Sequence, residues 1–318
     1  MLATSAYSLL YKKENAHVDH IYCCAWTQAN LSDDESAPPK DIIVTAGSMG
    51  IINVWEWGDN KLQLRTMLKD HRLAVTSLSF SPDGLTLVST AMDFCLNVWD
   101  MVSGERVHKI PAPSVWKATF APDGMHIVTG CHSGELVIYN VVKGSVVTVI
   151  DTSDRFAIDV SWSPNDQYIA SGSTSGTVYV LDSVHGKIVH RFRDHRESIK
   201  SVEFSPNSKV LLTSSTDGSF KLYDVKTGVL LHSLHQPAWA LSACFAPDGK
   251  RVALATAAGE VMLALVDGLQ VLRTFEEHDD DVCQVQFNPK GDKVISVSKD
   301  KSINIYDCPS PYNKKATS

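Results

Sequence analysis

The chain has 318 residues, of which 44% are hydrophobic and 20% charged, and a formal net charge of −7. These proportions suit a globular protein with a sizeable core, and the acidic balance argues against overall affinity for nucleic acid, which is driven by neutralising phosphates with a basic surface. None of the seven cysteines, at 23, 24, 95, 131, 244, 283 and 308, forms a C-x-x-C pair, so neither a zinc site nor a thioredoxin-type redox motif is indicated, and the odd count fits a reducing compartment.

The opening residues Met1 to Tyr7 lack a basic region followed by an apolar stretch and are not read as a secretory signal. Apolar runs are short and interrupted, as in Val252 to Val266 with Gly259 and Glu260, and none is long enough to span a bilayer. The expected location is the cytoplasm, with the nucleus in addition. Residues 7–12 form a strand-like run before the first repeat.

From there the same pattern recurs along the chain. Third-strand stretches close at Asn53-Val54-Trp55-Glu56, Asn97-Val98-Trp99-Asp100, Val137-Ile138-Tyr139-Asn140 and Tyr179-Val180-Leu181-Asp182. They continue at Lys221-Leu222-Tyr223-Asp224, Leu263-Ala264-Leu265-Val266 and Asn304-Ile305-Tyr306-Asp307. Seven copies at a spacing of about 40–44 residues match the period of propeller blades. Within a copy, a short apolar strand leads to a turn such as Ser81-Pro82-Asp83-Gly84 or Ala246-Pro247-Asp248-Gly249. Proline presets φ in such a turn, Asp bonds its own backbone, and Gly accepts positive φ. A strand of small and β-branched residues follows, such as Ile169-Ala170-Ser171-Gly172-Ser173, then the aromatic strand and a more polar fourth. Four short strands per unit make one blade, and no window of helical periodicity competes. The expected fold is an all-β, seven-bladed propeller over residues 1–308, with residues 309–318 a disordered tail. The last copy ends at Asp307 without a fourth strand, so residues 7–12 are expected to supply the outer strand of blade seven and close the ring. The acidic, Pro-containing insert 32–40 falls between the first two strands of blade one and reads as a mobile surface loop.

No G-x-S-x-G elbow, Walker loop, G-x-G-x-x-G or H-E-x-x-H appears, so no catalytic residue, cofactor or metal ligand is assigned. The basic stretch His190 to Arg196 reads as a solvated strand edge and turn. An enzyme working in the central channel would need convergent polar groups there, and the inward positions read as apolar instead.

Seven such repeats in register resemble the WD-repeat family over nearly the whole chain, although only Trp99-Asp100 keeps the signature dipeptide. The resemblance implies a structural hydrogen-bond tetrad. A His in the leading loop, a Ser or Thr in the second strand, an Asp in the next turn and an aromatic in the third strand tie the loop to the blade. His71, Ser89, Asp93 and Trp99 fit it in full, which makes this Ser-His-Asp set structural rather than hydrolytic. Blade five offers His195, Thr213, Asp217 and Tyr223, and blade seven His278, Ser296, Asp300 and Tyr306. Blades three, four and six have Ser133, Ser175 and Gly259 where the Asp would stand and are expected to anchor their loops by packing alone. The resemblance also places residues three and five past the leading-loop His on the narrow top face. Those positions hold Tyr22, Trp116, Phe156, Ile158, Trp239 and Leu241, with Lys200 and Asp281 on the same rim and His20 and His132 nearby. Clustered exposed aromatics mark protein-binding surfaces, because they bury much area at little entropic cost.

The segment Leu9 to Trp26, the ending Ile303 to Pro309, and Val54-Trp55-Glu56-Trp57, Trp116, Trp239 and Ile169 to Gly172 resemble the WD-repeat subunits of animal superkiller complexes. That resemblance implies a non-catalytic scaffold, itself monomeric, joined to a tetratricopeptide scaffold and a helicase. Such an assembly feeds RNA to the exosome for 3′-to-5′ mRNA decay. It also implies membership of the polymerase-associated factor (PAF) complex in transcription elongation and histone modification, without direct nucleic-acid or membrane contact. A ubiquitin-ligase substrate receptor on the same scaffold is the alternative.

Overall fold

The computed structural model describes residues 7–310 except 33, 35, 113 and 114. Among them, 28 strands form seven four-stranded antiparallel sheets arranged as blades. The first six blades take their strands in chain order from β2 (Ile21–Ala29) to β25 (Val271–Phe275). The seventh contains β26 (Val282–Phe287), β27 (Lys293–Ser298) and β28 (Ile303–Asp307), with β1 (Ser8–Lys13) as its outer strand. Ser8 pairs with Asp307 and Lys13 with Ile303, so the N-terminal strand closes the ring as the missing fourth strand required.

The turns follow from their residues. In the turn after β6 (Val75–Phe80), Gly84 sits at φ +72° and its N–H donates to the Ser81 carbonyl at 2.8 Å. Asp83 accepts the Leu85 N–H at 3.0 Å. Small residues in the second strands let neighbouring blades approach near the axis. A Cβ on Gly172 would lie 2.3 Å from Ile199 Cγ2 of the next blade. The core fills the gaps between blades: Val88 and Leu96 of blade two pack with Ile127 and Val137 of blade three. Each fully buried aliphatic side chain of this kind contributes about 1.5–3 kcal/mol.

The loop joining β2 to β3 (Lys40–Gly47) carries the insert on the surface, where Asn30 Nδ2 donates to the Asp34 carbonyl at 2.7 Å. Of the expected tail, Ser310 Oγ donates to Asp248 at 3.3 Å, and 311–318 lie outside the described residues.

The innermost strand of each blade has one unpaired edge, facing the channel. At five of the seven seams, side chains from the preceding blade cap N–H groups of that edge. Ser77 and Ser79 of blade two accept from Ala118 and Phe120 at 3.3 and 3.2 Å. Asp159 and Ser161 of blade four accept from Val202 and Phe204 at 2.8 and 3.3 Å. Glu203 accepts from Phe245 at 3.0 Å and Ser242 from Val285 at 3.3 Å. At the closing seam, Gln284 and Gln286 of blade seven accept from Cys24 and Trp26 of blade one at 3.1 and 2.9 Å. A buried donor left unmet costs about 1–3 kcal/mol, so this collar helps hold the ring shut.

Candidate partner-binding face at the channel mouth

The tetrad forms in blade two. Trp99 Nε1 donates to Ser89 Oγ at 2.9 Å, and Ser89 Oγ lies 2.7 Å from His71 Nε2. His71 Nδ1 reaches Asp93 at 3.1 Å, and Asp93 also takes the Arg72 N–H at 2.9 Å. Every donor is used when His71 is neutral with its proton on Nδ1, and burial, outweighing Asp93, does push its pKa down. Ser89 is fully buried, so this arrangement admits no substrate. Blade five repeats the His, hydroxyl and Asp links, with His195 to Thr213 at 2.8 Å and to Asp217 at 3.0 Å. Blade seven does so with His278 to Ser296 at 2.6 Å and Asp300 at 2.8 Å.

Two blades depart from the sequence expectation. Blade four does not rely on packing alone. Asp154, in the leading loop where the His would stand, accepts from Ser173, Ser175 and the Tyr179 hydroxyl at 3.0, 2.8 and 2.8 Å. A carboxylate thus gathers the hydroxyls that an imidazole would otherwise connect. Blade one has a partial network that the sequence reading missed: His17 Nε2 lies 2.8 Å from Thr45 Oγ1, which accepts Trp55 Nε1 at 2.8 Å. His17 and Thr45 are 28 residues apart instead of the usual 18, because the insert lies between them.

These networks hold the loops around the funnel-shaped mouth of a central-channel cavity of about 750 Å³. Tyr22, Trp116, Ile158, Lys200, Trp239, Leu241 and Asp281 all line it, contributed by six of the seven blades. Trp239 is 55% exposed, whereas Trp116 is half-buried. The Trp116 carbonyl accepts from Thr76 and Thr90 of blade two at 2.6 and 3.0 Å, which fixes where its indole leaves the wall. Phe156 differs from the rest of the expected set. It stands beside the wall, edge-on to Trp116 at 5.3 Å and 4.5 Å from His132, and buttresses the indole instead of lining the funnel. His20 lies outside the lining too, with Nδ1 2.6 Å from the Lys299 carbonyl and its ring tilted over Tyr22 at 6.4 Å.

The sequence reading missed Lys299, which pairs with Asp281 at 2.5 Å on the rim. Lys200 is half-buried, and burial, helped by Lys299, lowers its pKa, so an incoming carboxylate would relieve it.

Below the rim, the expected apolar channel is corrected by a polar wall. Half-buried Lys117 pairs with buried Asp159 at 3.4 Å, and Glu203, Gln284 and Gln286 line the same cavity. Burial raises the Glu203 carboxyl to about 8. The wall is polar because the inner-strand edges need acceptors. The apolar residues of the same strands, Val115, Ala157 and Ala240 among them, point into the blades and are buried. Among the described residues, no group of three or more His, Cys, Asp or Glu side chains could hold a metal ion.

The family model for the IFT122 first beta-propeller matches residues 37–307. The WD repeat-containing protein SL1-17 of Schistosoma mansoni is 27% identical over 49% of this chain and 50% of its own length. The WD repeat-containing protein VIP3 of Arabidopsis thaliana is 28% identical over 47% of this chain and 49% of its own. The periodic tryptophan protein 2 homolog of Schizosaccharomyces pombe is 34% identical over 36% of this chain but only 14% of its own length. The chain therefore spans half or less of the relatives it matches. With seven closed blades, the His-Ser-Asp-Trp network and a match across most of its length, the chain belongs to the WD-repeat β-propeller family represented by the IFT122 first propeller.

Proposed function

We propose that this propeller is a non-catalytic interaction scaffold that captures short linear segments of partner proteins at the channel mouth. The observation that carries the reading is the pair of accessible indoles, Trp116 on blade three and Trp239 on blade six, facing one funnel with Tyr22, Ile158 and Leu241. Half-exposed aromatics around a concavity are the usual energetic anchors of protein recognition. Lys200 and the Asp281–Lys299 pair add charge selection at the rim.

On the sequence resemblance, the assemblies it serves are the superkiller complex, alongside its tetratricopeptide scaffold and helicase, and the PAF complex. Its place is then the cytoplasm and the nucleus. The propeller would contribute to exosome-mediated 3′-to-5′ mRNA decay and to transcription elongation by holding partners together, with no direct contact to RNA.

The test is a Trp116→Ala, Trp239→Ala double variant, used as bait in native purification read by mass spectrometry. Truncating an anchor indole costs about 2 kcal/mol or more, roughly 30-fold in affinity, so the pair should abolish capture of the tetratricopeptide partner while thermal stability stays near the parent's. Undiminished capture would disprove the mouth as the docking site. A parent bait that brings down neither complex would disprove the assignment to these assemblies.

A further inference from the structure

The outer rim of the propeller is not uniform. In blades two, three and four the hairpin joining the third and fourth strands presents a valine at the same position of its tip: Val102, Val142 and Val184. Val142 is 70% exposed and Val184 79%. The equivalent positions of blades five and six hold Lys226 and Asp267. The tips are seated firmly. A Cβ on Gly144 would lie 3.1 Å from the His108 ring of blade two, and one on Gly186 would lie 3.0 Å from Ile150 of blade three. The His108 ring also lies 3.0 Å from the Val142 carbonyl. Between the tips runs β13 (Ser145–Asp151), the outer strand of blade three, with Val146, Val147 and Val149 all exposed. Other outer strands place a charge or a histidine within their span, as β5 (Lys61–Lys69), β9 (Arg106–Pro111) and β17 (Ile188–Phe192) do. β13 has only its terminal Asp151. Exposed apolar side chains repeated at equivalent places in adjacent blades differ from the scattered ones any surface carries.

The charge around this strip is positive, although the chain is net −7. Lys143 follows the Val142 tip, Lys187 the Val184 tip, and Arg191 and Arg193 extend the cationic side; all four are exposed. Of the nearby carboxylates, Asp151 accepts the Ser153 N–H at 2.7 Å and Asp182 the Val184 and His185 N–H groups at 3.1 and 2.7 Å, while Glu105 at the blade-two tip is exposed, so the cationic side of the strip is that of blades three and four. Strand addition to β13 is disfavoured, because a bulge between its pairings to Ile138 and Tyr139 interrupts the edge at Val147. What remains is a side-chain surface, apolar and bordered by cations, which suits the apolar face of a helix.

We propose that the outer rim of blades two to four is a second docking surface, and that it takes an amphipathic helix of a partner protein whose apolar stripe is flanked by carboxylates. Binding there is independent of the channel mouth, and one chain can hold two partners, or two parts of one, at the same time.

The test uses the full chain and two labelled synthetic helices of about 18 residues with the same leucine stripe, one flanked by Glu and one by Lys. The Glu helix should bind and weaken as salt rises, and the Lys helix should bind at least about 10-fold more weakly. Val142→Asp with Val184→Asp, and separately Lys143→Glu with Lys187→Glu, should each weaken the Glu helix by about 10-fold or more. Both pairs are exposed and leave no cavity, and a thermal melt checks that each variant folds. The Trp116→Ala, Trp239→Ala variant should bind the Glu helix like the parent, which separates failure here from failure at the mouth. Equal binding of the two helices, or parent-like binding by both rim variants, would overturn the proposal. So would sedimentation with phosphatidylserine vesicles in the absence of helix binding, or a dimer that the valine variants dissolve, since these would assign the strip to a membrane or to a second copy.

Discussion

Arg251 is the most consequential single side chain in the closure of the ring. It lies on β23 (Arg251–Thr256) of blade six, 2% exposed, and reaches into blade seven. Nη1 donates to the Cys308 carbonyl and Nη2 to the Gly291 carbonyl, both at 2.6 Å, while Nε donates to Asp248 at 2.9 Å. The guanidinium also lies over the Phe287 ring at 5.5 Å. It therefore ties the point where β28 ends to the β26–β27 turn and to its own blade. Replacing it with Met keeps most of the apolar volume but strands two carbonyls and a carboxylate. Hydrogen bonds to a charged group contribute about 1.5–3 kcal/mol each, and breaking a buried charged network costs about 3–5 kcal/mol in all. For a domain of ordinary stability that is a large fraction of the total, and the melting temperature should fall by roughly 5–10 °C. Arg251→Lys should recover little, because one ammonium cannot serve three acceptors in the fork geometry. The assay is urea denaturation of parent and both variants at matched concentration, with hydrogen exchange on β1 and β28. Arg251→Met within about 1 kcal/mol of the parent, or Arg251→Lys fully restoring stability, would refute this account of the clasp.

Two further predictions concern pH. Burial holds His17 down at about 4, so the folded chain keeps it neutral where the unfolded chain protonates it. Its contribution, about 2 kcal/mol after allowing for partial exposure, is present above pH 6.5 and lost as pH falls toward 4, and His17→Gln should shrink that acid-side loss in denaturant titrations. Glu203 is the opposite case: burial lifts it to about 8, so its folded form keeps a proton that the unfolded form releases. Stability from this group is present below pH 4.5 and declines up to pH 8 by as much as about 4 kcal/mol. Glu203→Gln keeps an oxygen for the Phe245 N–H and should flatten that decline; an unchanged profile would show that Glu203 ionises freely in the channel.

The architecture was legible because it is written seven times. Turns such as Ser81-Pro82-Asp83-Gly84 and the third-strand aromatics recur in register, and the unfilled fourth strand after Asp307 pointed to the N-terminal run that fills it. The His-hydroxyl-Asp links of blades two, five and seven were legible for the same reason, with His and hydroxyl 18 residues apart. What was missed depends on geometry that the repeat does not spell out. His17 escaped because the insert stretches its spacing, and Asp154 because a carboxylate does the work of an imidazole from the same loop. The polar channel was harder to read because the inward apolar positions repeat in every blade, while the positions alternating with them vary in residue type. Lys117 and Thr119, Asp159 and Ser161, and Gln284 and Gln286 are the opposite face of those strands, and their period of two was available in the sequence.

That alternation also bears on whether the channel does chemistry. A half-buried carboxylate with a raised pKa, such as Glu203, is the kind of group that acts as a general acid. Its position in the ring argues for another role. Ser77, Asp159, Glu203, Ser242 and Gln284 occupy the same face of the inner strands of blades two, four, five, six and seven, and each gives an oxygen to an N–H of the blade that follows. Hydroxyl, carboxylate and amide are interchangeable there, since all that the strand edge requires is an acceptor. Catalysis would demand one acid or base at one place; edge capping is met by different oxygens at each of these five seams. The raised pKa of Glu203 is then a consequence of closing the ring around a narrow, poorly solvated axis. Within the channel, the groups free to meet another molecule are those above it, at the mouth, where Trp239 and Lys200 have no strand edge to serve.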